Sequence, residues 1–307
     1  MEDYPVTTSE FEKRFSSEKA CRDYLFQLRW PDGFQCPRCQ NNKAWLNNRL
    51  LYQCTKCNYQ VSVIAGTIFQ GTHKPMPIWF KAIWWLTGQK NGASALGLAR
   101  MLGIGSYPTA WAMLHKLRRA MVTPGRNLLS GIIEADETYI GGEKPGKRGR
   151  GAAGKALVFI GVETNESQIG RIRLQHIADA SAASLENAIK KNISHGSIIQ
   201  TDGWSGYANL NSLGYKHIIV KNEADLGDNL LPSCHRVVSL LKRWLLGTHQ
   251  GAVRDKHLEY YLDEFTFRFN RRTSKHRGKL FMRLLENAVI INPMSIKKII
   301  KNEPKNR

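Results

Sequence analysis

Two aspartates stand at the ends of apolar runs, Asp136 in Glu-Ala-Asp-Glu-Thr and Asp202 in Gln-Thr-Asp-Gly-Trp. A carboxylate at the tip of a buried strand needs solvent, a positive partner or a metal to compensate it. Two of them can hold hard divalent cations about 3.5–4 Å apart, the arrangement that activates a nucleophile and stabilises a leaving oxygen in phosphoryl transfer. On this reading Asp136 bridges two ions, Mg²⁺ or Mn²⁺, and Asp202 flanks them. Four cysteines carry a second chemistry. Cys36-Pro-Arg-Cys39 and Cys54-Thr-Lys-Cys57 are separated by 14 residues, the spacing of two knuckles that share one tetrahedral Zn²⁺. Four thiolates leave no position for water, so this ion is structural. It stabilises a small module whose basic edge, Arg38, Lys43, Arg49 and Lys56, faces DNA. Cys21 and Cys234 lack near partners and read as buried apolar residues.

The charge balance agrees with a nucleic-acid partner. The 307 residues include 45 Lys and Arg against 25 Asp and Glu, a formal charge of +20, and counterion release favours such a chain on a polyanion. A membrane surface fits less well, because the basic residues are scattered and not gathered on one amphipathic helix. No run of about 18 apolar residues exists; Ile78 to Leu86 is short and contains Lys81. The start carries Glu2 and Asp3 where a secretory signal needs positive charge, which points to the cytoplasm.

The elements that must position these residues follow from periodicity. From Pro77 the text becomes helical, with Ser94 suited to cap a second helix, Gly103 to end it and Pro108 to open a third. That pattern predicts a helix-turn-helix over residues 75–122, with Lys116, Arg118 and Arg119 on its last helix as DNA contacts; a plain three-helix unit filled by Trp79, Trp84, Trp85 and Trp111 is the simpler alternative. After residue 130 come three strands (IIEADETYIGG, LVFIGVET, RIRLQHIAD), a helix (SAASLENAIKKNI), two further strands (SIIQTDGW, YKHIIV) and a helix over Val237 to Leu246. This order predicts an α/β fold with a ribonuclease H-like catalytic domain over 130–272, preceded by an N-terminal helical lead-in (1–30) and a zinc ribbon (31–65) and followed by a basic tail (273–307).

The runs ADETYIGG, TDGWSGY, HRVVSLLKRWLLGTHQG and KHLEYYLDEFTFRFNRR resemble the bacterial insertion-sequence transposases related to the eukaryotic Merlin transposons, a branch of the DDE superfamily. The double CxxC, AGTIFQGTHKP and YPTAWAMLHKLRRAM match as well, so the resemblance extends to about Arg272. It implies that His235 is the third catalytic residue, at a position where relatives vary among Glu, Asn and His, and that Lys242 follows seven residues later. Seven residues at about 100° each fall about 20° short of two helical turns, so the two share a face. Lys242 then contacts a phosphate beside the scissile bond. Glu264 in YLDEF is a competing third ligand. The resemblance implies binding of terminal inverted repeats, metal-dependent cleavage and strand transfer into target DNA, and a homodimer or larger assembly when two ends are joined. A ribonuclease H-like structure-specific nuclease and an inactive zinc-ribbon DNA-binding regulator are the rival readings.

Further basic segments flank the expected site. Lys147, Arg148 and Arg150 lie in a Gly-rich stretch after the first strand, suited to a DNA-ordered loop. Arg271 and Arg272 head the densest cluster of the C-terminal segment, where phosphates are the expected partner. Trp204 and Tyr207 suit either a splayed base or the core.

Overall fold

In a computed structural model of the chain, the described residues are 3–123, 125–141, 155–165, 168–220, 230–251 and 253–301. Two compact units emerge, one of residues 1–123 with 274–307, the other of residues 124–273. In chain order the first unit holds α1 (Thr8–Arg14), α2 (Glu18–Arg29), the strands β1 (Ala44–Leu46), β2 (Leu51–Cys54) and β3 (Gln60–Ser62), then α3 (Met76–Gly88), α4 (Ala95–Leu102) and α5 (Tyr107–Ala120). The second unit holds β4 (Ile132–Ile140), β5 (Ala156–Asn165), β6 (Gln168–Ile177), α6 (Ala182–Asn192), β7 (Ile198–Thr201), β8 (Lys216–Ile219), α7 (Pro232–His249) and α8 (Leu258–Phe269). The chain returns to the first unit with α9 (Arg277–Ile290) and α10 (Ile296–Lys301).

The first unit's helices start and stop where their caps dictate. Ser17 accepts from the Ala20 N–H at 3.2 Å to open α2, and Ser94 accepts from the Gly97 N–H at 3.0 Å to open α4. Gly103, at φ 63°, closes α4 in a left-handed conformation that costs glycine little. The core is aromatic: Phe281 lies 5.4 Å from Phe11, 5.6 Å from Phe15 and 5.6 Å from Phe80, centroid to centroid. Phe281 belongs to α9, so the segment expected as a basic tail is instead a buried helix from Arg277 onward. Leu280, Phe281, Leu284, Leu285 and Ala288 recur at helical spacing and are all buried. Net charge concealed that stripe.

In the second unit the strand order is β6-β5-β4-β7-β8. The first three strands are antiparallel neighbours, and β4, β7 and β8 run parallel. This is the ribonuclease H-like arrangement. Both faces are covered, which explains the unbroken apolar run of β5. Val158, Ile160 and Val162 pack on Cys234, Val237 and Leu241 of α7 and on Leu262 and Phe265 of α8, whereas Leu157 and Phe159 pack on Leu185, Ala188 and Ile189 of α6. Helix α7 begins at Pro232, five residues before the periodicity suggests, because proline's fixed φ suits a first turn. Among the described residues no helix is long and apolar enough to cross a membrane.

Candidate active site

The parallel pairing of β4 with β7 places the two aspartates. Its register sets Ile132 beside Ile198 and Glu134 beside Gln200; Asp136 follows Glu134 by two inside β4, and Asp202 follows Gln200 by two, one residue past the end of β7. Adjacent strands lie about 4.8 Å apart. Asp202 accepts from the Trp204 N–H at 3.0 Å, and the turn between them needs Gly203, whose φ is 83° and whose missing Cβ would lie 2.8 Å from Ile219.

Helix α7 brings the imidazole. His235 Nε2 lies 3.8 Å from Asp136 Oδ2, with the histidine side chain 49% exposed and the aspartate 18%. Burial raises the Asp136 carboxyl to about 6; the Glu137 N–H and His235 oppose that rise, and the carboxylates of Glu137 and Asp202 add to it. Two carboxylates crowded beside an imidazole make a donor set that a hard or borderline divalent cation would satisfy. The two aspartates and His235 do not all fall within 4.8 Å of one another, a limit that among the described residues only the four cysteines meet. Flanking ligands on two separate ions about 3.5–4 Å apart would show such a spread. Lys242 is exposed on α7. Burial and Lys155 lower its ammonium and Asp136 raises it, so its charge lies within electrostatic reach of the site.

Glu264 is elsewhere. It is fully buried on α8, where Arg268 Nη2 donates to Oε1 at 2.8 Å, and α8 packs on β6, the edge strand farthest from β7. Tyr207 is core as well: fully buried, its hydroxyl donates to Glu137 Oε2 at 2.9 Å. The Trp204 indole N–H donates to the Ala180 carbonyl at 2.9 Å.

One acidic residue that the sequence argument passed over binds the backbone beside His235. Glu134 precedes Asp136 by two on β4, hence on the same face, and is 6% exposed. Its Oε2 accepts from the Cys234 N–H at 2.9 Å. Leu231, at the start of α7, supplies no side-chain cap, so a carboxylate from the sheet takes that place and meets the positive end of the helix. The residue it fixes adjoins His235. The available signal was an acidic residue inside an otherwise apolar strand.

The four cysteines converge. Cys36 and Cys57 Sγ lie 3.6 Å apart, as do Cys39 and Cys54, close to the roughly 3.8 Å edge of a tetrahedron with Zn–S bonds of about 2.3 Å. The two knuckles repeat one geometry. The Gln40 N–H donates to Cys36 O at 2.9 Å and the Asn58 N–H to Cys54 O at 3.0 Å, with Gln40 and Asn58 at φ 61° and 55°. Burial raises the Cys54 thiol, but the N–H groups of Cys57 and Lys56 outweigh it and leave it at about 6. This donor set is a structural Zn²⁺ site.

The basic residues assigned to DNA need correction. Lys116, Arg118 and Arg119 are buried on α5. Arg118 is 2% exposed and donates to the Ala93 carbonyl at 3.3 Å, and burial lowers the Lys116 ammonium. Charge alone places these side chains on an outer face, whereas α5 buries them. The exposed part of α5 is its first turn, where Tyr107 is 55% accessible. Arg272 donates to the carbonyls of Ile169, Gly170 and Phe269 and lies 4.3 Å from the Phe269 ring, and Arg271 sits 4.2 Å from Phe267. Both guanidiniums are engaged in the fold, while Arg272 stays exposed. Lys147, Arg148 and Arg150 lie outside the described residues.

Residues 128–270 match the ISXO2-like transposase domain and residues 16–60 the transposase zinc-ribbon domain. An uncharacterized protein in transposable element ISH50 of Halobacterium salinarum is 27% identical over 305 residues, covering 90% of this chain and 99% of that one. Among solved structures, a chain of the simian T-cell lymphotropic virus intasome in complex with PP2A regulatory subunit B56 gamma is similar at TM-score 0.32 and 16% identity, covering 65% of this chain and 74% of that one. The Mos1 strand transfer complex is similar at TM-score 0.29 and 14% identity, covering 69% and 76%. The two matched domains are parts of transposases and take in more than half of the sequence between them; the chain belongs to the insertion-sequence DDE transposases.

Proposed function

We propose that this transposase binds the terminal inverted repeats of its own element through the zinc ribbon and the helix-turn-helix, and cuts there with Asp136, Asp202 and His235 holding two divalent cations. Such ions supply activation of a water or 3′-hydroxyl nucleophile and stabilisation of the leaving oxygen. The observation that carries the reading is His235 Nε2 at 3.8 Å from Asp136 Oδ2, with Asp202 directly after the strand that pairs in parallel with β4 and near enough for its charge to act on the Asp136 carboxyl. Asp136 would be the ligand shared by both ions, with Asp202 and His235 each holding one of them. Lys242, on the same helix face as His235, pairs with a phosphate beside the scissile bond. Phosphoryl transfer needs positioning and charge stabilisation and no covalent enzyme intermediate, so these residues suffice for cutting and for joining the freed 3′-hydroxyl to target DNA.

An imidazole in place of a third carboxylate removes one negative charge and offers a softer donor, which favours Mn²⁺ relative to Mg²⁺. Joining two ends calls for at least a homodimer, working on the nucleoid in the cytoplasm. The test is incubation of the purified protein with a plasmid carrying the element's ends, in Mn²⁺ or Mg²⁺, beside Asp136→Ala. End-specific nicks and joined products that Asp136→Ala abolishes, with Mn²⁺ at least as effective as Mg²⁺, are expected. End binding with no cleavage in either metal would overturn the catalytic reading and leave a DNA-binding regulator.

A further inference from the structure

From Gly33 through Ile133 the chain contains no Asp or Glu in 101 residues, while 12 Lys and Arg fall in the same span. Protein surfaces ordinarily intersperse both signs. A stretch carrying cations alone suits a polyanion, and it contains the four cysteines and the three strands of the zinc ribbon.

The two faces of the ribbon differ. On one, Tyr52 packs 4.8 Å from Phe26, 5.6 Å from Trp30 and 6.0 Å from Phe34, which fixes the sheet against α2. The register pairs Trp45 with Gln53 and Gln53 with Gln60, so these three share the other face. Trp45 there is 52% exposed. Gln60 Nε2 donates to Gln53 Oε1 at 3.0 Å, and Trp45, Asn47, Asn48, Arg49 and Gln60 line a hollow of about 260 Å³. Asn47 Oδ1 accepts from the N–H groups of Arg49 and Leu51 at 3.0 and 3.1 Å, which shapes the β1–β2 turn carrying Arg49.

An exposed indole set among carboxamides and a guanidinium, without a carboxylate, has the chemistry of base recognition. Asn, Gln and Arg hydrogen-bond base edges in a groove, and a large ring wedges at a base step or stacks on a base. We propose that this outer face of the zinc ribbon reads the sequence of duplex DNA, with Trp45 against a base step and Gln60 and Arg49 at base edges. The inference rests on the end-binding reading above and narrows it to one surface. Tyr52 packs the ribbon on α2 from the opposite face, so substitution of the exposed Trp45 leaves that packing in place.

The test measures binding of the full chain to a terminal-repeat duplex and to a scrambled duplex of equal length, by fluorescence anisotropy at fixed salt, for wild type, Trp45→Ala, Trp45→Phe and Gln60→Ala. One zinc per chain in each variant verifies the fold. Trp45→Ala is expected to weaken repeat binding about fivefold or more, the usual effect of removing an aromatic ring from a base contact, with less than about twofold loss on the scrambled duplex. Trp45→Phe is expected to recover most of the loss, and Gln60→Ala to relax the preference for the repeat. Equal affinity of wild type and Trp45→Ala for the repeat, with wild type still preferring it to the scrambled duplex, refutes the inference and leaves end binding standing. No preference in wild type refutes both. Loss of self-association in Trp45→Ala, with repeat binding intact, makes this face a protein interface and overturns the proposal.

Discussion

Replacing Glu134 with alanine tests whether the sheet positions His235. In the native protein Glu134 is 6% exposed and its carboxylate accepts from the Cys234 N–H at 2.9 Å. Alanine leaves that N–H buried without an acceptor, a cost of about 1–3 kcal/mol. For a unit of about this size each kcal/mol lowers Tm by roughly 2–4 °C, so the melt should fall by a few degrees to about ten and the protein should remain folded. Activity should fall further. Cys234 adjoins His235, whose Nε2 stands 3.8 Å from Asp136, and a displacement of about 1 Å at a reacting centre costs on the order of 10²-fold in rate. Glu134→Gln keeps an oxygen acceptor and loses only the charge, so it should recover most of the rate. The assays are cleavage of an end-bearing plasmid in Mn²⁺ well below Tm, Mn²⁺ affinity by electron paramagnetic resonance, and thermal melting. Weaker Mn²⁺ binding in Glu134→Ala, restored by Glu134→Gln, is expected. Wild-type Mn²⁺ affinity and rate in a destabilised Glu134→Ala protein would show that the contact holds the fold and nothing more.

Four other outcomes follow from the same geometry. His235→Ala should abolish end cleavage in Mn²⁺ with little change in melting, whereas Glu264→Ala, which strands Arg268 in a nearly buried pair, should destabilise by about 3–5 kcal/mol; the reverse pattern in paired cleavage and melting assays would make Glu264 the third ligand. Asp136 is raised to about 6 from an ordinary 3.8, so its protonated form is favoured by the fold and the penalty for ionising it grows as pH rises from about 4 and is complete above about 6. Without divalent cations, Asp136→Asn should therefore melt higher than wild type by up to about 3 kcal/mol of stability above pH 6, and the gap should close near pH 4 or on adding Mn²⁺; a gap independent of pH would refute the burial argument. Removing zinc with a chelator, or replacing Cys54 with serine, should unfold the ribbon and abolish end binding, read by zinc content and anisotropy, because the metal supplies much of the folding free energy of so small a module. Phe281→Ala should destabilise the first unit by about 3–5 kcal/mol, visible as an earlier melting transition; a tail that merely follows phosphates would leave melting unchanged.

Local signals were readable wherever chemistry depends on neighbours in the chain. The CxxC pairs, the Ser94 cap, Gly103 and Pro108, and the strand that stops just before Asp202 are all short-range patterns, set by ligand spacing, backbone φ and side-chain alternation, whereas Asp136, expected at a strand end, lies in the middle of β4. The arrangement of helices around charge was not readable. Lys116, Arg118 and Arg119 follow a basic pattern that reads as an outer face, yet α5 carries them inside, because a long stem can bury its carbons and place its charge at a carbonyl. The same residue types at Arg271 and Arg272 were expected on phosphates and are spent on Phe267, Phe269 and the carbonyls of β6.

Composition and spacing alone were enough for a zinc-holding, basic chain with carboxylates on apolar strands, since a CxxC turn and an apolar strand each need only a few consecutive residues; that β4 continues four residues past Asp136 was not foreseen. Which carboxylates and imidazole meet, by contrast, is a property of pairing across long stretches of chain. The parallel pairing of β4 with β7 brings the strand holding Asp136 beside the one that leads into Asp202, and the Glu134 bond to α7 spans 100 residues. No local pattern encodes a hydrogen bond between partners so far apart; only the folded sheet, with a helix docked on it, brings His235 to Asp136 and sends Glu264 elsewhere.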